Sequence, residues 1–245
     1  MTPLFYLIVF VLGLCIGSFL NVVILRLEKE ESLGGRSYCP HCKHQLAWLD
    51  LIPVFSFLFL GGKCRYCHAK ISIQYPLVEL ATALMFLVIS TIASGLAFFF
   101  MAYVWCSMIV IFIYDLRHYI IPDVVLFPAI IVALPYHLSF NYLVAAVAAS
   151  GFFLLIFLLS RGKAMGFGDV KLAILMGLLL GLAGVLVALV LAFWLGAVIG
   201  IVLMLLSKKG LKSQVPFAPF LIAGTFLALL WAPQIMSWYA KLLLL

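Results

Sequence analysis

The chain has 245 residues, of which 67% are hydrophobic and only 9% are charged, and its mean hydropathy is +1.31. These values exclude an ordinary water-soluble globular domain and indicate a polytopic membrane protein. The formal net charge of +7 does not indicate a nucleic-acid-binding protein, because the basic residues follow the predicted membrane topology, as described below. We therefore expect no nucleic-acid partner.

Apolar runs long enough to cross about 30 Å of hydrocarbon, roughly 20 residues each, recur along the chain. They predict eight transmembrane helices, at residues 3–25, 77–95, 98–114, 124–140, 142–160, 170–182, 185–206 and 217–239. The sixth and seventh are separated at the GLAG sequence of residues 181–184, because the apolar run that contains them is too long for one crossing. The first run has no basic region before it and no A-x-A site after it, so we expect a membrane helix rather than a cleaved signal peptide.

The Lys and Arg residues predict the orientation of these helices. With the N-terminus outside, the loops on the cytoplasmic side are residues 26–76, 115–123, 161–169 and 207–216. Together with Lys171 they contain all but one of the 15 Lys and Arg residues, and only Lys241 lies outside. Such an excess of basic residues on one side is typical of cytoplasmic loops.

The largest predicted soluble segment, residues 26–76, contains two C-x-x-C pairs: Cys39 with Cys42, and Cys64 with Cys67. The spacing is typical of a structural zinc site with four thiolate ligands, and predicts a zinc-ribbon-like loop. Two disulfides and free thiols are the alternatives, of which disulfides are disfavoured in a reducing cytosol. Four thiolates already complete a tetrahedron, so we expect the neighbouring histidines to be surface residues: His41, His44 and His68.

Carboxylates are scarce after the second predicted helix. Beyond Glu79 the chain contains only Asp115, Asp123 and Asp169, and the topology places all three at the cytoplasmic ends of helices. Acids at such positions are costly unless solvated or paired, and are candidate functional residues. Asp123 and Asp169 each suit a helix N-terminus, where a carboxylate can act as a cap. Asp115 is at the C-terminal end of its helix, where the helix dipole disfavours an anion.

These acids suggest one kind of chemistry. No partnered Ser or Cys nucleophile and no HExxH motif occurs at this depth, which leaves an aspartic-protease arrangement, in which two neighbouring carboxyl groups share one proton. Asp115 and Asp169 are the candidate pair, with Asp123 in a supporting role. Gly166 and Gly168 fit this hypothesis, because backbone without a Cβ lets an extended substrate lie against the loop. Of the remaining acids, Asp50 and those at residues 28–31 are expected to be solvated.

Several motifs occur together in one order. They are GSFLNVVILRL at residues 17–27, the two C-x-x-C pairs, LIPVFSFLFLGGKCRYC at 51–67, ISIQYPLVELATA at 71–83, DLRHYIIPD at 115–123, GFGDVKLA at 166–173 and VPFAPFLIAG at 215–224. In this combination the chain resembles the type IV prepilin peptidases, or leader peptidase/N-methyltransferases, of the GxGD class of intramembrane aspartic proteases. The resemblance covers nearly the whole chain.

The resemblance implies a multi-pass enzyme of the bacterial inner membrane, with its cysteine loop and aspartate pair on the cytoplasmic side. Its substrates would be prepilins or pseudopilins of a pilus, competence or secretion system, cleaved after a Gly, with Asp115 and Asp169 as the catalytic pair. It also implies N-methylation of the new N-terminus from S-adenosylmethionine, although no G-x-G-x-x-G motif marks a binding site for this donor.

The predicted domains are a first helix (1–25), a zinc-binding loop and candidate methyltransferase region (26–76), and a protease core (77–245). Three alternatives stay open: a peptidase without methyltransferase activity, a noncatalytic zinc-bearing membrane assembly factor, and a transporter or channel. The last is disfavoured because its acids would lie at mid-membrane depth.

Overall fold

The structure is a computed structural model that describes residues 2–136, 138–163, 165–206 and 215–243. Its helices are α1 (Pro3–Glu28), α2 (Phe55–Phe59), α3 (Gln74–Ile92), α4 (Leu96–His118), α5 (Asp123–Tyr136), α6 (Phe140–Leu159), α7 (Phe167–Leu206) and α8 (Ala218–Leu243), with a 3-10 turn (Trp48–Leu51) before α2. Within these ranges, extended pairing is limited to two isolated bridges. The predicted all-α class is confirmed.

Within the described ranges, six helices are long and apolar enough to cross a membrane: α1, α3, α4, α6, α7 and α8. The seventh, α5, is apolar but shorter, with 14 residues. With 40 residues, α7 would be about 60 Å long as one straight helix, twice the thickness of the hydrocarbon layer. It is broken at Gly181, so the described part of the chain contains eight apolar helical segments, as predicted. Most of the predicted loop 207–216 lies outside the described residues.

The break in α7 has a local cause and a tertiary one. Gly181 has a φ of 67°, which side chains with a Cβ rarely adopt. The amide of Leu182, the next residue, donates a hydrogen bond to Oδ1 of Asn141 at 3.4 Å. Asn141, near the start of α6, thereby supplies an acceptor for the first amide after the break. The second half of α7 therefore starts as a separate helix.

The chain divides into two compact units, Met1–Val110 and Ile111–Leu245. In the first unit α1 packs closely against α3. A Cβ on Gly13 would lie 2.6 Å from Cα of Ala83, and a Cβ on Gly17 would lie 2.6 Å from Cα of Glu79. Small residues four positions apart let membrane helices approach at backbone distance. This contact holds α3 directly against α1.

In the second unit α7 packs against both α6 and α8, again through glycines. A Cβ on Gly177 would lie 2.4 Å from Cα of Ala146 in α6, and one on Gly224 of α8 would lie 2.4 Å from the carbonyl oxygen of Ala188. Because these neighbours are backbone atoms, neither contact can accommodate a larger residue without moving a helix. The first half of α7 is therefore held in place on the α6 side, and with it the GFGD sequence at its start.

Candidate active site and cysteine cluster

The second unit brings Asp115 and Asp169 to one cavity. Asp115 lies near the C-terminal end of α4 and is 5% exposed, and Asp169 lies in the first turn of α7 and is 7% exposed. The two carboxyl groups interact electrostatically. The cavity has a volume of about 570 Å³ and is lined by Asp115, residues 119–121, Asp123, residues 162–163, 165–169, Lys171 and 215–217. This size is typical of a site for a small molecule or a short peptide segment.

The position of Asp115 at the C-terminal end of its helix is compensated by another helix. The backbone amide of Ala218, the first residue of α8, donates a hydrogen bond to the Asp115 carboxyl group. The N-terminus of a helix carries a partial positive charge and favours an anion. The other carboxyl oxygen, Oδ2, is buried and has no hydrogen-bond partner among the described residues. A buried acceptor in that state is costly, which is typical of an atom that binds something else.

The two glycines of GFGD have different surroundings. Among the described residues, a Cβ on Gly166 would meet nothing nearer than Oδ2 of Asp169, at 3.9 Å, whereas a Cβ on Gly168 would lie 3.0 Å from Cβ of Ile121. Gly166 thus leaves open space beside the Asp169 carboxyl group. The space beside Gly168 is filled by Ile121, so this glycine allows the start of α7 to pack against the segment before α5 rather than against a substrate.

Asp123 lies at the rim of the cavity and forms an ion pair with Lys171. Its side chain is 51% exposed, and that of Lys171 is 18% exposed. The Lys171 ammonium group also lies 5.5 Å from the ring centre of Phe127 and 5.7 Å from that of Phe167, within cation–π range. The ion pair therefore connects the start of α5 with the start of α7, next to Asp169.

Three contributors to this site were missed from the sequence. They are Lys171, Ile121 and the segment 215–217 before α8. A signal was available for Lys171, because a cation inside an apolar helix is as costly as an acid there. Ile121 and the segment 215–217 carry no polar group that would distinguish them from ordinary apolar residues.

The four paired cysteines converge in the first unit. Their sulfur atoms all lie within 4.8 Å of one another, and all four thiols are free. The two turns that carry them are alike. The amide of Cys39 donates to the carbonyl of His44 at 3.0 Å, and that of Cys64 donates to the carbonyl of Ala69 at 2.9 Å. The cluster can hold a metal ion, because four sulfur donors at this separation suit tetrahedral coordination.

The surroundings of the cysteine cluster confirm one expectation and correct another. The three histidines His41, His44 and His68 are exposed, as expected. Asp50, expected to be solvated, has a side chain only 4% exposed, and that expectation is wrong. It accepts hydrogen bonds from Arg65 at 2.7 Å, from the Tyr66 hydroxyl at 3.1 Å and from the Ala47 amide at 3.1 Å. Asp50 therefore joins the segment between the cysteine pairs to the second pair.

Burial and hydrogen bonding act on Asp50 in opposite directions. Burial raises the pKa of the Asp50 carboxyl group, but the hydrogen bonds from Arg65, the Ala47 amide and Tyr66 outweigh it and hold this pKa below its usual value. These three donors stabilise the ionised carboxylate. Asp50 is accordingly an anion at neutral pH.

The chain is similar to known proteins over nearly its whole length. Residues 11–93 match the bacterial peptidase A24 N-terminal domain, and residues 101–201 match the type IV leader peptidase family. The prepilin leader peptidase/N-methyltransferase of Aeromonas hydrophila is 34% identical over 96% of this chain and 94% of its own length. The protein of the same name from Bacillus subtilis is 33% identical over 97% of this chain and 98% of its own length. No solved structure matches the chain. The family matches to the two parts of the chain and the relatives that cover nearly its full length indicate the same family. The chain belongs to the type IV leader peptidase family.

Proposed function

We propose that this protein is a membrane endopeptidase that removes the leader of type IV prepilins or pseudopilins, with Asp115 and Asp169 as its catalytic pair. One observation carries the proposal: two buried carboxyl groups from separate helices line one cavity, and one of their oxygens has no hydrogen-bond partner within the described part of the chain. The printed names of the relatives support the same reaction.

The chemistry follows from two neighbouring carboxyl groups that share one proton. The ionised group takes a proton from a water molecule, and the protonated group donates a hydrogen bond to the scissile carbonyl oxygen. The water oxygen then adds to the carbonyl carbon, the C–N bond breaks, and the leaving nitrogen takes up a proton. The Ala218 amide holds the Asp115 carboxyl group in place for this step.

The cavity suits a substrate in which an extended peptide segment is followed by an apolar segment. Gly166 leaves backbone without a side chain beside Asp169, where an extended peptide can lie. Ile120 and Phe167, which are 61% and 50% exposed, supply apolar surface at the same cavity. A prepilin, with a short leader followed by an apolar helix, has both features.

We further propose that the protein N-methylates the new N-terminus with S-adenosylmethionine as donor, as the names of its relatives state for them. In this proposal residues 26–76 are the candidate methyltransferase region, and Cys39, Cys42, Cys64 and Cys67 hold a structural zinc ion. Four thiolates without an open position suit a structural site rather than a catalytic one. Residues 77–245 form the protease core.

The orientation proposed is that of a multi-pass protein of the bacterial inner membrane, with the cysteine loop and the aspartate pair in contact with the cytoplasm. The distribution of Lys and Arg over the loops supports it. The substrate would then present its leader from the cytoplasm and its apolar helix from the bilayer.

The test is co-expression of a prepilin with the wild-type protein, with Asp115→Asn and with Asp169→Asn. Leader loss is followed as a mobility change on a gel, and the product's N-terminus is identified by mass spectrometry. Wild type should give a shortened, methylated product, and each Asn variant should give none. Asp123→Asn, an acid at the rim of the same cavity, is the matched control and should still cleave.

The alternatives make different predictions in this experiment. Cleavage by either Asp115→Asn or Asp169→Asn would refute the catalytic pair. An unmethylated but shortened product would leave a peptidase alone. An uncleaved prepilin in the presence of wild type would favour a noncatalytic assembly factor.

A further inference from the structure

The segment between the two cysteine pairs exposes a continuous set of large apolar side chains. We call residues 48–59 the apolar ridge. Trp48 is 73% exposed, Phe55 is 54%, Leu58 is 65% and Phe59 is 86%. Its other exposed apolar residues are Leu49, Leu51 and Ile52. An exposed patch of this kind marks a surface that another apolar phase covers.

The ridge is attached to a membrane helix. The amide of Val54, immediately before α2, donates a hydrogen bond to Oε2 of Glu79 at 2.7 Å. Val54 has a φ of 62°, unusual for a β-branched residue, so this turn depends on contacts such as the one to Glu79. Glu79 lies in the second turn of α3 and is 7% exposed. The ridge is therefore held at the end of α3 from which the loop emerges.

The same end of α3 begins a stripe of exposed apolar side chains. Ile73, Leu77, Leu80 and Leu84 are 65%, 56%, 40% and 51% exposed. Their spacing of four, three and four residues places them on one face of the helix. In a membrane-spanning helix such a face is in contact with lipid. The ridge is thus attached at the end of α3 where this apolar stripe starts.

The backbone around α2, the second half of the ridge, can enter a medium of low polarity. The amide of Ser56 donates to the carbonyl of Ile52 at 3.0 Å, and that of Leu58 donates to the carbonyl of Val54 at 3.1 Å. Immediately after the ridge, the amide of Leu60 donates to the carbonyl of Ser56 at 3.0 Å. Because these groups are paired within the segment, their transfer out of water carries no penalty for broken hydrogen bonds.

The charges beside the ridge fit a negatively charged lipid surface. Lys63 and Lys70 follow the ridge and are exposed. The one acid within residues 43–76, Asp50, is buried against Arg65. Trp at the level of the headgroups, with apolar side chains below and cations beside them, is the composition of segments that lie in the membrane interface.

We propose that the apolar ridge inserts its side chains into the membrane interface, so that the cysteine loop lies on the surface of an anionic phospholipid bilayer. Trp48, Phe55, Leu58 and Phe59 enter the boundary between headgroups and acyl chains. The cysteine cluster, which is attached to the ridge through Asp50, is then held close to the membrane surface. This proposal concerns the first unit and holds whether or not the catalytic pair is assigned correctly.

The test uses full-length, zinc-loaded protein in nanodiscs that contain an anionic phospholipid. One set of lipids is brominated near the headgroup, another near the bilayer centre, and bromine quenches nearby Trp fluorescence. The fluorescence lost on Trp48→Phe substitution gives the contribution of Trp48. We expect this contribution to be reduced most by the shallow bromines.

Two other tryptophans provide matched controls through the same substitution. Trp194, 64% exposed and midway along the second half of α7, should be quenched most by the deep bromines. Trp105, 1% exposed, should be quenched by neither. Phe59→Ser should retain its zinc content while the quenching of Trp48 by shallow bromines decreases and its quenching by aqueous acrylamide increases.

If the ridge is surrounded by water or covered by protein, the quenching of Trp48 follows a different pattern. Quenching of Trp48 by acrylamide and by neither lipid would show a ridge in water and overturn the proposal. Protection of Trp48 from all three quenchers would show that protein covers the ridge, as in an association of two copies, and would also overturn it. So would protection from acrylamide that appears only when a prepilin is added.

Discussion

Lys171, two residues after Asp169, forms an ion pair with Asp123, 48 positions earlier in the chain. The pair connects the start of α7 with the start of α5 at the rim of the cavity that contains both buried aspartates. Asp123 is therefore placed to hold Asp169 in position through Lys171. The proposed catalytic acids, in contrast, lie inside the cavity and are almost fully buried.

Asp123→Asn and Lys171→Met should each reduce the rate of prepilin cleavage about two- to fivefold, because an exposed ion pair is worth about 0.5–1 kcal/mol. The double variant should be no slower than the slower single variant, since both substitutions remove the same interaction. Initial rates of leader loss in membranes measure this. Complete inactivity of Asp123→Asn in folded protein would assign Asp123 to the catalytic group instead.

Gly168→Ala should impair cleavage more than Gly166→Ala. A Cβ at position 168 would press on the Ile121 side chain at 3.0 Å, and overpacking of this kind costs about 1–3 kcal/mol. Ile121→Ala combined with Gly168→Ala should restore part of the activity, because it removes the atoms in conflict. Thermal unfolding and cleavage rates of the three variants distinguish this from a direct effect on substrate. If the double variant is as slow as Gly168→Ala, the contact with Ile121 is not the reason for the glycine.

Gly177→Ala should destabilise the second unit, whereas Gly200→Ala in the same helix should not. At position 177 a Cβ would lie 2.4 Å from backbone atoms of Ala146, and at position 200 it would meet no atom of a described residue within 4 Å. We expect a loss of about 1–3 kcal/mol for the first and a change within about 1 kcal/mol for the second. Melting temperatures in detergent compare them. Equal melting temperatures would contradict the close contact between α6 and α7.

Cys42→Ser should lower the bound zinc well below the wild-type content, expected to be about one ion per chain. Cys15→Ser is the matched control, since Cys15 lies in α1 and is not part of the cluster. The zinc content of the purified proteins is measured by elemental mass spectrometry. Removal of zinc by a chelator should expose residues 26–76 to proteolysis in wild type, because binding of a structural metal stabilises the fold around it. Equal zinc content in both variants would rule out the four-cysteine site.

Asp50→Asn should destabilise the cysteine loop by about 1–3 kcal/mol, because three donors lose a charged acceptor. The pKa of Asp50 is lowered in the fold, so its contribution is present above its unfolded pKa of about 3.9. It is lost as the pH falls through the lower, folded pKa. The difference in stability between wild type and Asp50→Asn should therefore be constant from about pH 5 to 8 and shrink only below about pH 4. Proteolysis rates of the loop measure it; a difference that changes within the neutral range would contradict the lowered pKa.

The number of apolar segments, their order and the grouping of the four cysteines into one cluster followed from the sequence. Each depends on a local property: the length of an apolar run, a glycine that permits a break, or the spacing of two thiols on one turn. Even the division of α7 near Gly181 was predictable in this way, although its acceptor on Asn141 was not.

The candidate aspartates were also found from the sequence, because an acid is rare and costly in an apolar chain. Their surroundings depended on contacts between residues far apart in the chain. Asp50 was expected in water because its partners Arg65 and Tyr66 are 15 and 16 positions away.

Asp115 shows the division between the two kinds of information most directly. Its sequence position predicts an anion at the unfavourable end of a helix. Only the tertiary structure places the N-terminus of α8 beside it, where the Ala218 amide compensates one carboxyl oxygen and the other meets no donor from the residues that the structure describes. The sequence by itself determined which groups carry a free-energy cost at their position, since this cost depends on residue type and local environment. The fold decided how that cost is offset, since hydrogen bonds and packing depend on which helices meet.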